Sequence, residues 1–301
     1  MCIRDRSHHR GVGCALFAGK NMSKEKQDKQ YNLNADDCPE DYPEDYACHS
    51  AAQQIWAREL ISKLNFQGDE IVLDIGCGDG KITAEIAEHL PNGEILGVDN
   101  SAAMLALARK EFPWSSHPNL SFQERDARDL SYECEFDIIF SNAALHWMQD
   151  HRTLLAGIRK ALKPNGQILL QMAGQGNAAA LLAVLDELIC TEKWQPYFIN
   201  FTSPYNFYEP ELYTTWLREA GLQPLRVELL PKKMSYTGQV GLESWLRTTW
   251  FPYTERLSVE QRDVFITELS DRYIVKYPVD SKGEVHVDMI RLEVEACLEK
   301  I

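Results

Sequence analysis

Residues 71–83 read Ile-Val-Leu-Asp-Ile-Gly-Cys-Gly-Asp-Gly-Lys-Ile-Thr, and this stretch predicts the fold of the chain. Residues 71–75 form a short apolar run rich in β-branched side chains, which is typical of a strand buried on both faces. Three alternating glycines end the run, and apolar residues at helical spacing follow over 81–90. Glycines let the backbone turn tightly and let a ligand approach where a Cβ atom would clash. The stretch therefore predicts a strand, a glycine turn and a helix, the start of a βαβ nucleotide-binding unit.

A second strand that ends in a carboxylate strengthens this prediction. Residues 94–99 read Glu-Ile-Leu-Gly-Val-Asp, and Asp99 lies 19 residues after Gly80. An acid about 20 residues beyond the glycine loop is the expected acceptor for ribose hydroxyls. The glycines follow G-x-G-x-G spacing, however, and Asp74 directly precedes the loop. Both features weigh against an NAD-dependent oxidoreductase, whose loop has G-x-G-x-x-G spacing.

The pattern Asp-Ile-Gly-Cys-Gly-Asp-Gly over residues 74–80 resembles the first motif of class I S-adenosylmethionine (SAM)-dependent methyltransferases. The resemblance implies SAM as the cofactor and S-adenosylhomocysteine (SAH) as its product. It implies that Asp74 orients the loop, that Asp99 accepts from the ribose hydroxyls and that Asp126, at the end of a third strand, accepts from the adenine amino group. Met104 is expected near the adenine, with a core role as the alternative. The full set of implied cofactor residues is Asp74, Gly76, Cys77, Gly78, Gly80, Asp99, Asn100, Met104, Asp126, Ala127, Ser141 and Asn142.

The segment 141–147, Ser-Asn-Ala-Ala-Leu-His-Trp, follows a predicted fourth strand and precedes Asp150-His151 at the start of a helix. This signature resembles small-molecule methyltransferases of the trans-aconitate and juvenile-hormone-acid type. Ligands bind outside the carboxyl ends of the strands in such sheets. We therefore expect His146 and Trp147 to border the methyl donor and the acceptor, with a loop histidine and a core tryptophan as the alternative.

Aromatic side chains are concentrated in residues 238–276, a segment that covers the acceptor pocket in the resembling enzymes. It includes Arg247 and Tyr253, which join His146 and Trp147 as predicted catalytic residues, and it also holds Trp245, Trp250, Phe251 and Arg256. A carboxylate acceptor is already ionised at neutral pH and needs only alignment and a cation such as Arg247 or Arg256. A phenol or an activated carbon would need a base, and His146 is the candidate.

These residues predict O-methylation of a small carboxylic acid. The alternatives are C- or O-methylation of another small metabolite with His146 as base, and a non-catalytic SAM-binding regulatory protein. The resemblance predicts an α/β fold with a Rossmann-like, doubly wound, mainly parallel seven-stranded sheet, an antiparallel edge hairpin and a helical cap insertion over 238–276. Strands that alternate with helices over 50–175 agree with this fold class.

The first 49 residues differ in composition from the rest of the chain. Residues 1–21 carry four basic residues and one acidic residue, and we interpret them as a leader foreign to the native protein, with a targeting peptide as the rival interpretation. Residues 22–49 are predicted to be a flexible acidic segment, and residues 50–301 the methyltransferase domain. Within it, the helix predicted at 50–64 should turn Ile55, Trp56 and Leu60 inward.

Charge and cysteine content exclude several functional classes. The net charge of −14 disfavours nucleic acid as a partner, and no Asn-Pro-Pro-Tyr-like motif of a nucleic-acid methyltransferase follows the fourth strand. No uninterrupted apolar run approaches 18 residues, so no membrane partner is expected. The eight cysteines include no C-x-x-C pair, so we predict no metal site and reduced thiols in the cytoplasm. The predicted partner is a small-molecule acceptor, and the predicted state is a monomer or homodimer.

Overall fold

The computed structural model describes the backbone of residues 51–298 and the side chains from residue 54 to residue 298. The predictions for the leader at 1–21 and for the acidic segment at 22–49 lie outside these residues. Within the described part of the chain, no helix is long and apolar enough to cross a membrane.

Strands and helices alternate through the first half of the described chain. In order, they are α1 (Ala51–Ile61), β1 (Ile71–Ile75), α2 (Lys81–Ala87), β2 (Glu94–Asp99), α3 (Ala102–Glu111), β3 (Leu120–Glu124), β4 (Phe136–Asn142), α4 (His151–Ala161) and β5 (Leu162–Ala173). A 3₁₀ turn at Leu145–Trp147 connects β4 to α4. The second half contains α5 (Ala179–Ile189), α6 (Pro210–Glu219), β6 (Leu222–Thr237), α7 (Gly238–Thr249), α8 (Phe251–Thr254), α9 (Val259–Lys276) and β7 (Glu284–Leu298).

The strands form one seven-stranded sheet in the order β3-β2-β1-β4-β5-β7-β6. Neighbouring strands from β3 to β5 are parallel, whereas β7 pairs antiparallel with both β5 and β6. This arrangement confirms the predicted fold class. The chain leaves β1 toward β2 on one side, and β4 lies on the other side, so the strand order reverses between β1 and β4. In an open parallel sheet, ligands bind at the carboxyl ends of the strands at this reversal.

Several boundaries differ from the prediction. β3 ends at Glu124, so Asp126 lies two residues beyond the strand. β5 contains a break at residues 163–166, where the pairing with β4 jumps from Phe136–Leu162 to Ile138–Gln167. Asn165 has a φ of 67° there, a left-handed conformation that asparagine tolerates better than most residues.

The buried face of α1 is narrower than predicted. Trp56 and Leu60 are buried, as expected, but Ile55 is 56% exposed. Trp56 and Leu60 are four residues apart and share one face of the helix, whereas Ile55 precedes this face by about 100°. The prediction that Ile55 points inward was therefore wrong.

Helices α7–α9, which we call the helical cap, lie between β6 and β7 in sequence. They share a core with α1, α5 and the loop 194–208, and this core includes the buried side chains Trp56, Leu185, Trp194, Phe198, Leu242, Trp245, Trp250, Tyr253 and Phe265. α9 begins with a capping box in which the Ser258 hydroxyl accepts from the Gln261 backbone N–H. Through this shared core, the loop 194–208, which we call the aromatic loop, packs against the helical cap.

A row of polar side chains on β7 faces α1. Glu293 is fully buried, and its carboxylate accepts hydrogen bonds from Gln171 Nε2 at 2.9 Å and Arg226 Nη1 at 2.7 Å, and pairs with Lys63. Burial opposes ionisation of Glu293, but the bonds from Lys63 and Arg226 outweigh it and lower the pKa of the carboxyl. Glu293 of β7 thus connects Gln171 of β5, Arg226 of β6 and Lys63, which follows α1.

We predict that Glu293→Ala destabilises the protein by about 3–5 kcal/mol, because it removes the buried carboxylate that Lys63, Arg226 and Gln171 share and leaves Lys63 without its acid. Glu295→Ala is the matched control, since Glu295 also pairs with Arg226 but is 36% exposed, and it should cost less than about 1 kcal/mol. Urea unfolding followed by circular dichroism measures both. Equal losses in the two variants would contradict a special role for the buried carboxylate.

Candidate active site

The glycine loop after β1 is held by the end of β2. Gly76 and Cys77 both donate their backbone N–H to the Val98 carbonyl, at 2.7 and 3.1 Å. All three glycines have left-handed φ values, 74° at Gly76, 55° at Gly78 and 78° at Gly80. A Cβ atom on Gly76 would lie 2.2 Å from the Cβ of Ala144, which follows β4. The loop can therefore adopt this path only with glycine at this position.

Asp99 at the end of β2 supports the same loop. Its Oδ2 accepts from the Gly78 N–H and its Oδ1 from the Ser101 N–H, both at 2.9 Å. Burial raises the pKa of the Asp99 carboxyl, and these backbone bonds partly offset the effect. Each carboxylate oxygen has further lone pairs, so Asp99 can accept ribose hydroxyls from this position.

Asp74 is the penultimate residue of β1, just before the glycine loop. It is 2% exposed and accepts a hydrogen bond from Thr83 Oγ1 at 2.7 Å. Burial and, to a smaller extent, the charge of Asp99 raise the pKa of this carboxyl to about 7, although the Thr83 bond opposes the shift. The bond joins the end of β1 to α2 across the loop. This contact is consistent with the predicted role of Asp74 in orienting the loop.

The end of β4 forms the other side of the site. The Ser141 hydroxyl donates to the Ile75 carbonyl at 2.6 Å, which fixes β4 against β1 at the strand-order reversal. Asn142 Oδ1 is buried and has no hydrogen-bond partner among the described residues. An acceptor in this position suits the ammonium or hydroxyl groups of a nucleoside cofactor.

The residues predicted to contact the adenine and ribose differ in how deeply they are buried. Met104 is buried, and its Cε would lie 3.4 Å from a Cβ atom on Gly78. Asp126 accepts from its neighbour Arg128, at 2.9 Å from Nε and 2.8 Å from the backbone N–H, and the Arg128 side-chain bonds lower its pKa. Asn100 is exposed, and Ala127 is half-buried in the core beside β4.

Cys77 is buried against β2 and is a packing residue of the loop. Its Sγ would lie 2.9 Å from a Cβ atom on Gly97. Burial raises the pKa of the thiol, and the charges of Asp74 and Asp99 raise it further. A thiol held neutral in this way is a poor nucleophile.

His146 and Trp147 lie in the 3₁₀ turn just beyond β4, where the sequence placed them. The Trp147 ring lies 4.8 Å from Tyr205 and 5.4 Å from Phe251 of the helical cap, between ring centroids. The His146 carbonyl accepts from the Asn206 N–H at 2.9 Å, which fixes the aromatic loop to this turn. His146 Nδ1 is buried without a hydrogen-bond partner among the described residues.

His151 fixes the position of that turn by a hydrogen bond to its backbone. Its Nε2 lies 2.9 Å from the Leu145 carbonyl, so Nε2 carries the proton and Nδ1, 3.1 Å away, accepts from the Tyr213 hydroxyl. Burial lowers the pKa of His151 to about 4, although the bond to Leu145 opposes the shift. His151 therefore positions the turn as a neutral imidazole.

Two of the predicted catalytic residues have other roles in the structure. Arg247 is 43% exposed at its side chain and pairs with Asp263 at 3.1 Å and Glu243 at 3.6 Å, so we correct its assignment to that of a surface ion pair. Tyr253 is 2% exposed and packs in the core of the helical cap, 4.7 Å from Phe201. A helical pattern alone does not show which side of α7 faces the sheet, so the sequence did not indicate that Arg247 lies at the surface.

Arg291 of β7 is a site residue that the sequence analysis missed. It is 3% exposed, and no other arginine or lysine in residues 54–298 is as deeply buried. It pairs in the sheet with Ala173, the last residue of β5, and its guanidinium carbon lies 4.5 Å from the centre of the Trp56 ring. Burial, together with the positive charge of Arg291, lowers the pKa of His146 to about 3. Arg291 is the only arginine or lysine in β7, and this was the signal in the sequence.

Comparisons with known proteins agree with this geometry. Residues 72–166 match a family model described as a methyltransferase domain. Trans-aconitate 2-methyltransferase of Deinococcus radiodurans is 37% identical over 138 residues, which cover 46% of this chain and 51% of the relative. The enzyme of the same name from Shigella flexneri is 28% identical over 263 residues, which cover 84% of this chain and 96% of the relative.

Solved structures share the fold. Phosphoethanolamine N-methyltransferase 2 of Haemonchus contortus, in complex with SAM, aligns with a TM-score of 0.56 at 18% identity, over 87% of this chain and 58% of that chain. Residues 72–166 are a methyltransferase domain, and the sheet order and glycine loop around them are those expected of class I SAM-dependent methyltransferases. The protein is an enzyme with SAM as its cofactor, and its sequence is similar to trans-aconitate 2-methyltransferases over most of its length.

We predict that Gly76→Ala abolishes SAH binding, because the new methyl group would collide with Ala144 and displace the loop. Gly283→Ala is the matched control, since Gly283 has a similar φ of 80° but nothing within 4 Å of the added atom. The control should lose about 1–2 kcal/mol of stability from the left-handed backbone alone. Calorimetric titration with SAH tests the difference, and unchanged binding by Gly76→Ala would refute the role of the close approach.

We predict that Asp74 makes the protein less stable as the pH rises from about 4 to about 7. In this window the native state keeps a proton that the unfolded state has released, so its contribution is complete below the unfolded pKa and is lost as the pH passes the folded pKa. Asp74→Asn should reduce the difference in unfolding free energy between about pH 5 and about pH 8 by about 1 kcal/mol or more. Asp69→Asn, which changes an exposed carboxylate, should leave the difference unchanged in urea unfolding.

Proposed function

We propose that this methyltransferase methylates a carboxylate oxygen of a small acid that binds between the end of β4 and the helical cap. The observation that carries the proposal is the position of Arg291, a buried cation that pairs in the sheet with Ala173 at the carboxyl end of β5 and whose charge acts on His146. A buried guanidinium is costly unless it meets an anion or equivalent acceptors, and it pairs well with a carboxylate. Its five N–H donors allow it to keep protein contacts while it binds an acid.

The chain's own residues would bind and align the two reactants. The glycine loop and Asp99 would hold the cofactor, Asn142 would accept from its polar groups, and Arg291 would orient the acid. SAM supplies an activated methyl group when bound. Aromatic rings of Trp147, Tyr205 and Phe251 would keep water away from the transfer, and the oriented approach of two reactants can contribute about 7–11 kcal/mol.

The properties of His146 favour an acceptor that needs no base. A general base works best with a pKa near the operating pH, and the pKa of His146 is about 3. Such an imidazole is neutral at physiological pH but too weak to deprotonate a phenol with a pKa of about 10. A carboxylate is already ionised, so His146 can serve as a neutral hydrogen-bonding neighbour.

Methylation of another metabolite with His146 as base remains the second candidate. It is favoured by one observation, the buried Nδ1 without a hydrogen-bond partner among the described residues. The relatives named trans-aconitate 2-methyltransferase favour an acid. A cytoplasmic location and a monomeric or homodimeric state stay predictions of the sequence.

We predict that His146→Gln lowers kcat on a carboxylic acid by less than about tenfold, because no proton has to be removed. The rate of SAH formation should also stay level between about pH 6 and about pH 9, where the acid is ionised throughout. The product should be a methyl ester, which releases methanol in alkali, unlike a methylated carbon, nitrogen or ether oxygen. His117→Gln, at a half-buried site beside Phe112, is the control.

A loss of about 100-fold or more in His146→Gln, with a pH profile that changes shape, would instead support general base catalysis. An alkali-stable product would exclude the ester and reject the proposed function.

A further inference from the structure

We propose that Asp280, Glu284 and His286 form a binding site for a divalent transition-metal ion, with Zn²⁺ as the expected ion. One ligand atom from each of the three residues lies within 4.8 Å of the other two. The cysteine spacing predicted no metal site, but this set consists of carboxylates and an imidazole, which bind the same ions. The proposed site shares no residue with the candidate active site and does not depend on the identity of the methyl acceptor.

The start of β7 places two of the ligands on one face. Glu284 and His286 are two residues apart in the strand, so their side chains point to the same side of the sheet. They pair with Thr237 and Ser235 of β6, respectively. Asp280 belongs to the turn before β7, and its backbone N–H donates to the Glu284 carbonyl at 2.9 Å. The turn therefore brings Asp280 beside the first residues of the strand.

Hydrogen bonds direct the two carboxylate oxygens of Asp280 to different partners. Oδ1 accepts from the backbone N–H groups of Lys282 and Glu284, at 2.8 and 2.9 Å. Oδ2 faces His286 and lies 3.1 Å from its Nε2. Two ligand atoms that bind one tetrahedral ion at about 2.0–2.1 Å lie about 3.3–3.4 Å apart, so this pair already has nearly the separation that an ion requires.

The ring of His286 has the second hydrogen bond that metal-binding histidines use. Its Nδ1 lies 2.8 Å from the Ser235 hydroxyl oxygen, and its backbone carbonyl accepts from the Tyr273 hydroxyl of α9 at 2.8 Å. A metal-bound histidine almost always donates its other ring N–H to an oxygen, which fixes the tautomer and the ring orientation. When Nδ1 donates to Ser235, Nε2 turns a lone pair toward the Asp280 carboxylate, and a cation between the two atoms removes the repulsion.

The cluster has an excess of negative charge. It contains two carboxylates, and no lysine or arginine in residues 54–298 forms an ion pair with Asp280 or Glu284. A divalent cation would balance both charges. The side chains of His286 and Asp280 are 31% and 32% exposed, so an ion can enter from water. An imidazole ligand favours Zn²⁺ over Mg²⁺ and Ca²⁺, which prefer oxygen ligands alone. The alternative is a protonated His286 that forms an ion pair with Asp280.

The site lies where the chain enters and leaves the helical cap. Thr237, the sheet partner of Glu284, directly precedes α7, and Asp280 follows α9. An ion bound by Asp280 and the start of β7 would close the turn after α9 and fix this end of the helical cap. His286 precedes Arg291 by five residues, about 17 Å along an extended strand. The ion would therefore contribute to stability and not to methyl transfer.

The test measures Zn²⁺ binding by the metal-free full chain in calorimetry, with Co²⁺ absorption as a second measurement. Because the chain contains eight cysteines, the ligand type has to be read directly. Co²⁺ held by carboxylates and an imidazole shows d–d bands without a thiolate-to-metal charge-transfer band. We expect one such ion per chain and a Tm that rises with Zn²⁺ but not with the same concentration of Mg²⁺.

Variants connect this binding to the three residues. Glu284→Gln and His286→Gln should each weaken it by about 100-fold or more and abolish the rise in Tm, and Ser235→Ala, which removes the partner of Nδ1, should weaken it by about tenfold. Asp288→Asn is the matched control, because Asp288 lies on the same face of β7, two residues beyond His286, and is 79% exposed. It loses the same charge as Glu284→Gln but should keep its Zn²⁺ affinity within about twofold.

Circular dichroism and SAH binding show whether each variant is folded, and the two ligand variants test the site independently. Absence of the Co²⁺ d–d bands in the full chain would overturn the site, and the cluster would then be an ion pair of His286 and Asp280. An unchanged Zn²⁺ affinity in both ligand variants would place the ion elsewhere and overturn the site as well. Binding at this site without a change in Tm would overturn its stabilising role.

Discussion

The close approach of Gly76 to Ala144 is the constraint on which the site depends. It brings the turn after β1 against the segment after β4, at the one place in the parallel sheet where the strand order reverses. Because no side chain separates the two segments, the Val98 carbonyl can hold the loop from β2 while Ser141 holds β4 to Ile75. The left-handed backbone that this path requires is available to glycine at little cost.

Electrostatic balance along β7 is the second organising feature. Arg291, Glu293 and Glu295 lie on one face of the strand, and the apolar Leu292, Val294 and Ala296 lie on the other. Glu293 is neutralised by Lys63 and Arg226, so its charge is satisfied within the sheet. Arg291 stands at the end of the row nearest the site, where its positive charge acts on His146. The same strand thus contributes to the stability of the sheet edge and to the polarity of the acceptor side.

The strands, helices and glycine loop in the first half of the described chain could be predicted from the sequence because their signals are local. The alternating glycines, the carboxylates at strand ends and the Ser101 cap of α3 each require only a few neighbouring residues. The acceptor half depends on tertiary contacts. Arg291 of β7 packs against Trp56 of α1, and Arg247 is exposed because α7 turns Leu242, Trp245 and Leu246 inward instead. Periodicity finds such helices and strands but does not orient them against partners distant in sequence.

The hydrogen bond from Asn206 to the His146 carbonyl, with the one from Tyr205 to Thr249, joins three separate segments into a single wall. The cofactor loop takes its support from strands β1, β2 and β4, and this wall takes its support from residues 194–208 and the helical cap. The two halves meet at the turn after β4. Substitutions in the later half of the chain can therefore change which acceptor binds while the cofactor-binding loop keeps its structure. The two parts of the site can vary independently of each other.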